Sequence, residues 1–177
     1  MDTRPVVLLA AAVGATLFAC HEAPTEPIAV ALQLDRDTSV AAPIETTATY
    51  GVRYGFRLIA RYQNRTGASI YFERCRETES SPVYYIPTAD GVSESGWGVG
   101  WGCPNAPVLE FQPGAVRTDS LLFQGPTAYD GITHEPLGVL IGSFRLRYVT
   151  RKCADETPRC YQAGPRVESG PFEVRLP

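Results

Sequence analysis

Cys20, Cys75, Cys103, Cys153 and Cys160 have the widest chemistry open to them in this chain, and their spacing restricts which chemistry that is. Structural zinc sites place thiolates in pairs two to four residues apart. The closest pair here, in "CADETPRC", encloses six residues, and His134, the one histidine in the body of the chain, has no second ligand near it in sequence. No metal and no other cofactor is expected. His134, in "GITHEPLG", is also the one candidate base for nucleophilic catalysis, which needs a nucleophile, a base and an orienting group. No "G-x-S-x-G" elbow is present. Asp90 with Glu94, and Asp130 with Glu135, have the composition of a glycosidase carboxylate pair, but each pair sits among turn residues, where exposed acids are common. The expectation is a protein that is not an enzyme.

Two further stretches carry binding chemistry. In "SGWGVGWGCP", Trp97, Val99 and Trp101 fall on one face of an extended chain and Gly96, Gly98, Gly100 and Gly102 on the other. The pattern suits an aromatic platform for a sugar or peptide, with Tyr84 and Tyr129 as further stacking surfaces. It suits equally a core in which the tryptophans pack on a disulfide. In "RLRYVTRKC", Arg145, Arg147, Arg151 and Lys152 form a basic edge suited to an acidic partner or lipid headgroups, with Glu168 and Glu173 as available counter-charges. Over the 177 residues, 16 basic side chains stand against 19 acidic ones, a net charge of −3. That balance carries no nucleic-acid footprint.

The start, "MDTRPVVLLAAAVGATLFAC", has a short charged head followed by an uncharged run from Val6 to Phe18, the anatomy of an export signal. The run is too short for a permanent membrane helix, which needs about 18 to 20 apolar residues. Its end, Leu17, Phe18, Ala19 and Cys20, resembles the bacterial lipobox. The resemblance implies a signal peptide at 1–19, cleavage before Cys20, a diacylglyceryl thioether on the Cys20 sulfur and an acyl chain, such as palmitate, on the new amino group. Two or more chains anchor a protein stably, at about 0.8 kcal/mol per buried methylene. Residues 20–27, containing "HEAPTEP", then read as an extended tether. By the enterobacterial sorting convention, His21 after the anchor favours the outer membrane. The expected partners are the membrane, through lipid on Cys20, and an envelope protein or glycan.

With Cys20 given to lipid, Cys75, Cys103, Cys153 and Cys160 remain, an even set in an exported chain, which reads as two disulfides. Three connectivities are open. Spacing favours Cys75 with Cys103 and Cys153 with Cys160, the latter stapling the end of a hairpin.

The elements that hold these side chains alternate with a period of two. In "FRLIARYQN", Phe56, Leu58, Ala60 and Tyr62 share a face; in "GSFRLRYVT", Phe144, Leu146 and Tyr148; in "FEVRL", Phe172, Val174 and Leu176. Weaker strands are read at "IAVALQL" from Ile28, "ETTATYGV" from Glu45, "SIYFERC" from Ser69, "SPVYYIP" from Ser81, "GWGVGW" from Gly96 and "RTDSLLF" from Arg117. Sixteen Gly and fifteen Pro spread along the chain supply turns between them. Residues 28–177 are therefore expected to form one all-β domain, an antiparallel immunoglobulin-like β-sandwich of about seven to nine strands.

The order "FRLIARYQNRTGASIYFERC", a tryptophan segment ending in Cys103, "LEFQPGAVRTDSLLF" and "GSFRLRYV" is similar to small exported bacterial domains related to the BsuPI-type proteinase inhibitor. The shared marks are an "N-x-[ST]" turn after a strand, a "PG" turn before one, and "G-x-[FY]-R-L". The resemblance implies an immunoglobulin-like sandwich. The function expected is a membrane-anchored envelope lipoprotein whose sandwich is an interaction or structural module. Alternatives are an inhibitor acting through the constrained loop "CADETPRC" and a carbohydrate-binding module using Trp97, Trp101, Tyr84 and Tyr129.

Overall fold

Alternating apolar residues become strands throughout the computed structural model, which describes residues 30–48, 51–74, 82–98, 108–154, 160 and 162–177; no helix occurs among them. The expected signal peptide and tether, Cys75, Cys103 and Trp101 lie outside the described residues. In chain order the strands are β1 (Val30–Leu34), β2 (Thr38–Val40), β3 (Ala42–Thr47), β4 (Gly51–Asn64), β5 (Ile70–Glu73), β6 (Tyr84–Tyr85) and β7 (Val108–Phe111). There follow β8 (Val116–Gly125), β9 (Gly142–Phe144), β10 (Arg147–Tyr148), β11 (Thr150–Arg151), β12 (Val167–Glu168) and β13 (Phe172–Arg175).

β4 organises the first layer. Its inward residues Phe56, Leu58, Ala60 and Tyr62 are buried while Arg57, Ile59 and Arg61 are exposed, the half-buried pattern read from the sequence. β8 lies antiparallel along one side of it, from Tyr54 opposite Gly125 to Gln63 opposite Val116. The other side is shared: β1 pairs with the C-terminal end of β4 and β3 with its N-terminal end.

The second layer is built on the interrupted line of β9, β10 and β11. β12 and β13 flank it on one side, with β2 added parallel to β13, and β6 and β5 flank it on the other, with β7 beyond β5. Its short pieces are continued by backbone bonds: Glu73 N–H donates to the Val149 carbonyl at 3.0 Å, Val149 N–H to the Val83 carbonyl at 2.9 Å, and Arg145 N–H to the Pro87 carbonyl at 3.0 Å. The chain thus forms an immunoglobulin-like sandwich whose first strand crosses between layers, from β1 beside β4 to β2 beside β13 and back to β3. Asp35 makes the first corner, accepting the Ile59 N–H on its carboxylate at 2.8 Å while its own N–H donates to the Ile59 carbonyl at 2.9 Å.

Aromatic rings fill the space between the layers in one continuous row. Trp97 meets Phe56 edge-on at 4.8 Å, Phe56 stacks on Phe123 at 5.1 Å, and Phe123 meets Tyr84 at 5.2 Å. Tyr84 leads at 6.3 Å to Tyr148, which lies 5.1 Å from Tyr62, itself against Phe72 and Phe111. Such pairs add about 0.5–1.5 kcal/mol each beyond the area they bury.

One end of the row is closed by Asn64, the first residue of the "N-x-[ST]" turn, which is 1% exposed. Its amide donates to the Ala68 carbonyl at 2.9 Å and the Phe111 carbonyl at 2.8 Å, and its side-chain oxygen accepts from the Thr66 N–H and hydroxyl. The adjoining Gln112–Ala115 turn has Pro113 at its second position and Gly114 at its third, with φ 78° and a 3.1 Å bond from Ala115 N–H to the Gln112 carbonyl. This is a type II turn, whose third position requires positive φ. Gly114 N–H donates in turn to the Asn64 carbonyl at 2.8 Å.

Three sequence expectations differ from the structure. The strand read over Glu45–Val52 is two strands, because Thr47 and Gly51 face one another across a hairpin in which Gly51 has φ 73°; β3 is exposed along nearly its whole length, so its sequence carries no one-sided pattern to mark where it ends. The strand read from Gly96 is absent over residues 96–98, where Trp97 turns into the core. β2, β7 and β12 are strands that the periodicity did not reveal, being only three, four and two residues long.

Replacing Asn64 by Ala removes the side-chain donor to the buried Phe111 carbonyl, at a cost of about 1–3 kcal/mol, while the exposed Ala68 carbonyl keeps the Thr66 hydroxyl at 2.7 Å. Urea unfolding of Asn64→Ala is expected to show a loss of about 1–3 kcal/mol, with Thr66→Ala losing no more than about half of that.

Candidate functional site

A cluster of polar side chains inside the sandwich gathers on one carboxylate. Alternation in β8 puts Asp119 on the same inward face as Leu121 and Phe123, and it is 5% exposed. A buried carboxylate persists only when its oxygens are supplied with donors. Asp119 Oδ2 accepts the Tyr62 hydroxyl at 2.7 Å from β4 and the Tyr148 hydroxyl at 3.1 Å from β10, and Oδ1 accepts Arg117 Nε at 2.9 Å. One carboxylate therefore joins both layers.

Burial, reinforced by the Asp119 charge, drives the Tyr62 phenol far above its ordinary range; burial, then Tyr62 and Asp119, do the same for Tyr148. Both phenols stay protonated donors. Tyr84, at the next place in the aromatic row, is shifted upward by burial and Asp119 as well. The arrangement holds its protons in place and acts as a tie between strands.

The basic edge is partly engaged within the chain. Arg151 is 3% exposed and its Nε bonds Glu73 at 2.7 Å; Arg147 donates through Nε to Glu168 and through Nη1 to the Tyr85 hydroxyl at 3.1 Å; Arg145 lies 3.6 Å from Glu168. Arg166 also engages Glu168 at 2.8 Å, and Lys152 donates to Gln162 at 2.9 Å. Burial would raise the Glu168 carboxyl, but bonds from Arg166 and Arg147 hold it below its ordinary value. Glu168 is thus the counter-charge shared by Arg145, Arg147 and Arg166, and Arg145 and Arg147 keep side-chain exposures of 34% and 30%.

Trp97 is 2% exposed, with its indole N–H donating to the Leu140 carbonyl at 3.1 Å, so it belongs to the core and not to a surface platform. Gly96 and Gly98 admit backbone rather than ligand: a Cβ on Gly96 would lie 3.0 Å from the Gly138 carbonyl oxygen, and one on Gly98 would lie 2.9 Å from that of Gln124. Tyr84 is half-buried in the aromatic row, and Tyr129 is half-buried opposite Pro136 in a separate loop, so the three do not converge on one surface.

Cys153 and Cys160 form a disulfide with Cα atoms 5.0 Å apart. Beyond it the chain returns antiparallel, Lys152 N–H donating to the Gln162 carbonyl and Arg151 facing Ala163, which is the stapled hairpin expected from the spacing. Residues 155–159, inside the loop, lie outside the described residues. The acid pairs are turn caps: Asp90 accepts the Val92 N–H, and Asp130 accepts the Ile132 and Thr133 N–H groups, which lower its carboxyl. His134 is exposed in the latter turn with φ 60°. Among the described residues, no group of three or more His, Cys, Asp or Glu could hold a metal ion.

Sequence reading missed Asp119 as a site. Its signal was an acid in register with Leu121 and Phe123 on the apolar face of an alternating strand.

Tyr62 and Tyr148 keep their protons above the ordinary phenol value of 10.0, so above that pH the folded state binds more protons than the unfolded one. Stability is fully present below about pH 10 and falls as pH rises further, by up to about 2.7 kcal/mol per pH unit for the two groups together. Denaturant unfolding measured from pH 8 to 11 is expected to show this decline, and Tyr148→Phe is expected to halve its slope.

No family model matches the chain, and no curated protein matches it. Among solved structures, the X-ray structure of Northeast Structural Genomics Consortium target SoR45 is similar over 84% of this chain and 88% of its own, at 13% sequence identity and a TM-score of 0.34.

Proposed function

We propose that this protein is a lipid-anchored bacterial envelope protein whose sandwich is a non-catalytic interaction or structural module. The observation that carries the reading is Cys20, placed directly after Leu17, Phe18 and Ala19 at the end of an uncharged run. The Cys153–Cys160 disulfide supports it, since such bonds persist in oxidising compartments. So does the internal use of polar side chains around Asp119, Glu168 and Glu73, which suits a rigid carrier of surfaces.

Surfaces for an envelope partner are present at the pole remote from Val30. The loops there expose Val92 (86%) and Ile132 (89%), with Leu137, Val139 and Ile141 also exposed. Apolar residues grouped at the surface are a mark of interaction sites.

Mass analysis of the amino terminus of protein made in a bacterial host is expected to find Cys20 as the first residue, carrying a diacylglyceryl group. Cys20→Ser is expected to remove the lipid and move the protein from the membrane fraction to the soluble one. An unmodified Cys20, or a cut elsewhere, would overturn the reading.

A further inference from the structure

The outward face of the first layer carries charge that the core does not use. β4 places Arg53, Arg57 and Arg61 on this face at four-residue intervals, with Arg65 following. A strand rises about 3.3 Å per residue, so these guanidiniums start from positions roughly 13 Å apart. Arg53 is taken by Glu45 at 3.0 Å and by Gln124. Among the described residues, Arg57, Arg61 and Arg65 have no carboxylate partner. Asp35 and Glu45, which border the face, are engaged by Arg36 and Arg53. A chain of net charge −3 therefore gathers unpaired positive charge on one side.

The groups between the arginines are neutral. Leu122 stands opposite Arg57, Ser120 opposite Ile59, Thr118 opposite Arg61 and Val116 opposite Gln63, and Ile59, Val116 and Leu122 are exposed. Around Arg61 and Arg65, with Gln33, Gln63 and Val116, the surface dips into a groove of about 200 Å³.

The groove lies where the chain enters the domain, since Val30 pairs with Asn64 and Ala31 with Gln63. Ten residues separate Cys20 from Val30 and reach at most about 35 Å when fully extended. A lipid on Cys20 would thus bring this end of the sandwich to the bilayer, with the pole bearing Val92 and Ile132 away from it.

We propose that this face, through Arg57, Arg61 and Arg65 with Ile59, Leu122 and Val116 between them, docks on an anionic lipid surface. The guanidiniums seat headgroup phosphates, for which their planar fork is suited. The inference rests on the lipid-anchored reading of Cys20. Each arginine held near an anionic surface strengthens association about fivefold, and the effect fades with salt.

The test uses the full chain on vesicles of phosphatidylcholine alone and of phosphatidylcholine with phosphatidylglycerol, followed by hydroxyl-radical footprinting. On the anionic vesicles, oxidation of Ile59, Leu122 and Val116 is expected to fall severalfold, while Val92 and Ile132 are unchanged. High salt, or the combined Arg57→Gln, Arg61→Gln and Arg65→Gln substitutions, is expected to restore oxidation. Arg175→Gln, which removes one exposed arginine on β13 in the other layer, is expected to leave the protection intact, whereas Arg61→Gln alone is expected to weaken it. Retention of the chain on vesicles at high salt reports anchoring separately. Retention with equal oxidation on both vesicle types would overturn the docking face alone; no retention would overturn the anchor.

Discussion

A carboxylate placed inside an apolar sandwich is unstable unless each oxygen finds a donor, and Asp119 finds three, on strands from both layers. The requirement runs in both directions. Asp119 Oδ2 has its donors only while β4 presents Tyr62 and β10 presents Tyr148 at bonding distance, so any sliding of one layer over the other strands a polar group in the core. The two phenols are themselves members of the aromatic row, and the polar tie therefore fixes the packing of the rings from Tyr84 to Phe111.

Asn64 repeats the device at the end of the row. Its amide reaches from β4 to the Phe111 carbonyl on β7, and the Pro113–Gly114 turn carries the chain from β7 in the second layer to β8 in the first. At the opposite end Trp97 plugs the row, held by the Leu140 carbonyl. Two polar ties and one aromatic plug thus join the two layers formed by the thirteen strands of the described residues. Ion pairs at Glu168 and Glu73 secure the outer strands of the second layer. What the fold leaves to its surroundings is the row of Arg57, Arg61 and Arg65 and the apolar loops at the far pole.

Period-two alternation was legible wherever a strand had one wet and one dry face, as in Phe56 to Tyr62 and Phe144 to Tyr148. It failed in three physical situations. At Thr47 to Gly51 the chain reverses where the exposed β3 carries no one-sided pattern; at Thr38–Val40 the strand is too short to show one; at Trp97 the alternation is real but serves close backbone packing. The hairpin staple was legible because two cysteines seven apart have few other uses. On the basic edge, Glu168, legible in the sequence as a counter-charge, is brought beside Arg145 and Arg147 by folding. The arginine row was passed over because Arg57 and Arg61 read as the solvated face of an alternating strand, and only the fold shows that the nearby carboxylates Asp35 and Glu45 are engaged by Arg36 and Arg53.

The account treats the two layers as one cooperative unit locked through Asp119. Native-state hydrogen exchange tests this most directly, by comparing the opening free energy of amides in β4 with that of amides in β10 and its neighbours. The account predicts that both sets exchange only through the same global opening. Exchange of the second layer through a cheaper opening, with β4 still protected, would contradict it.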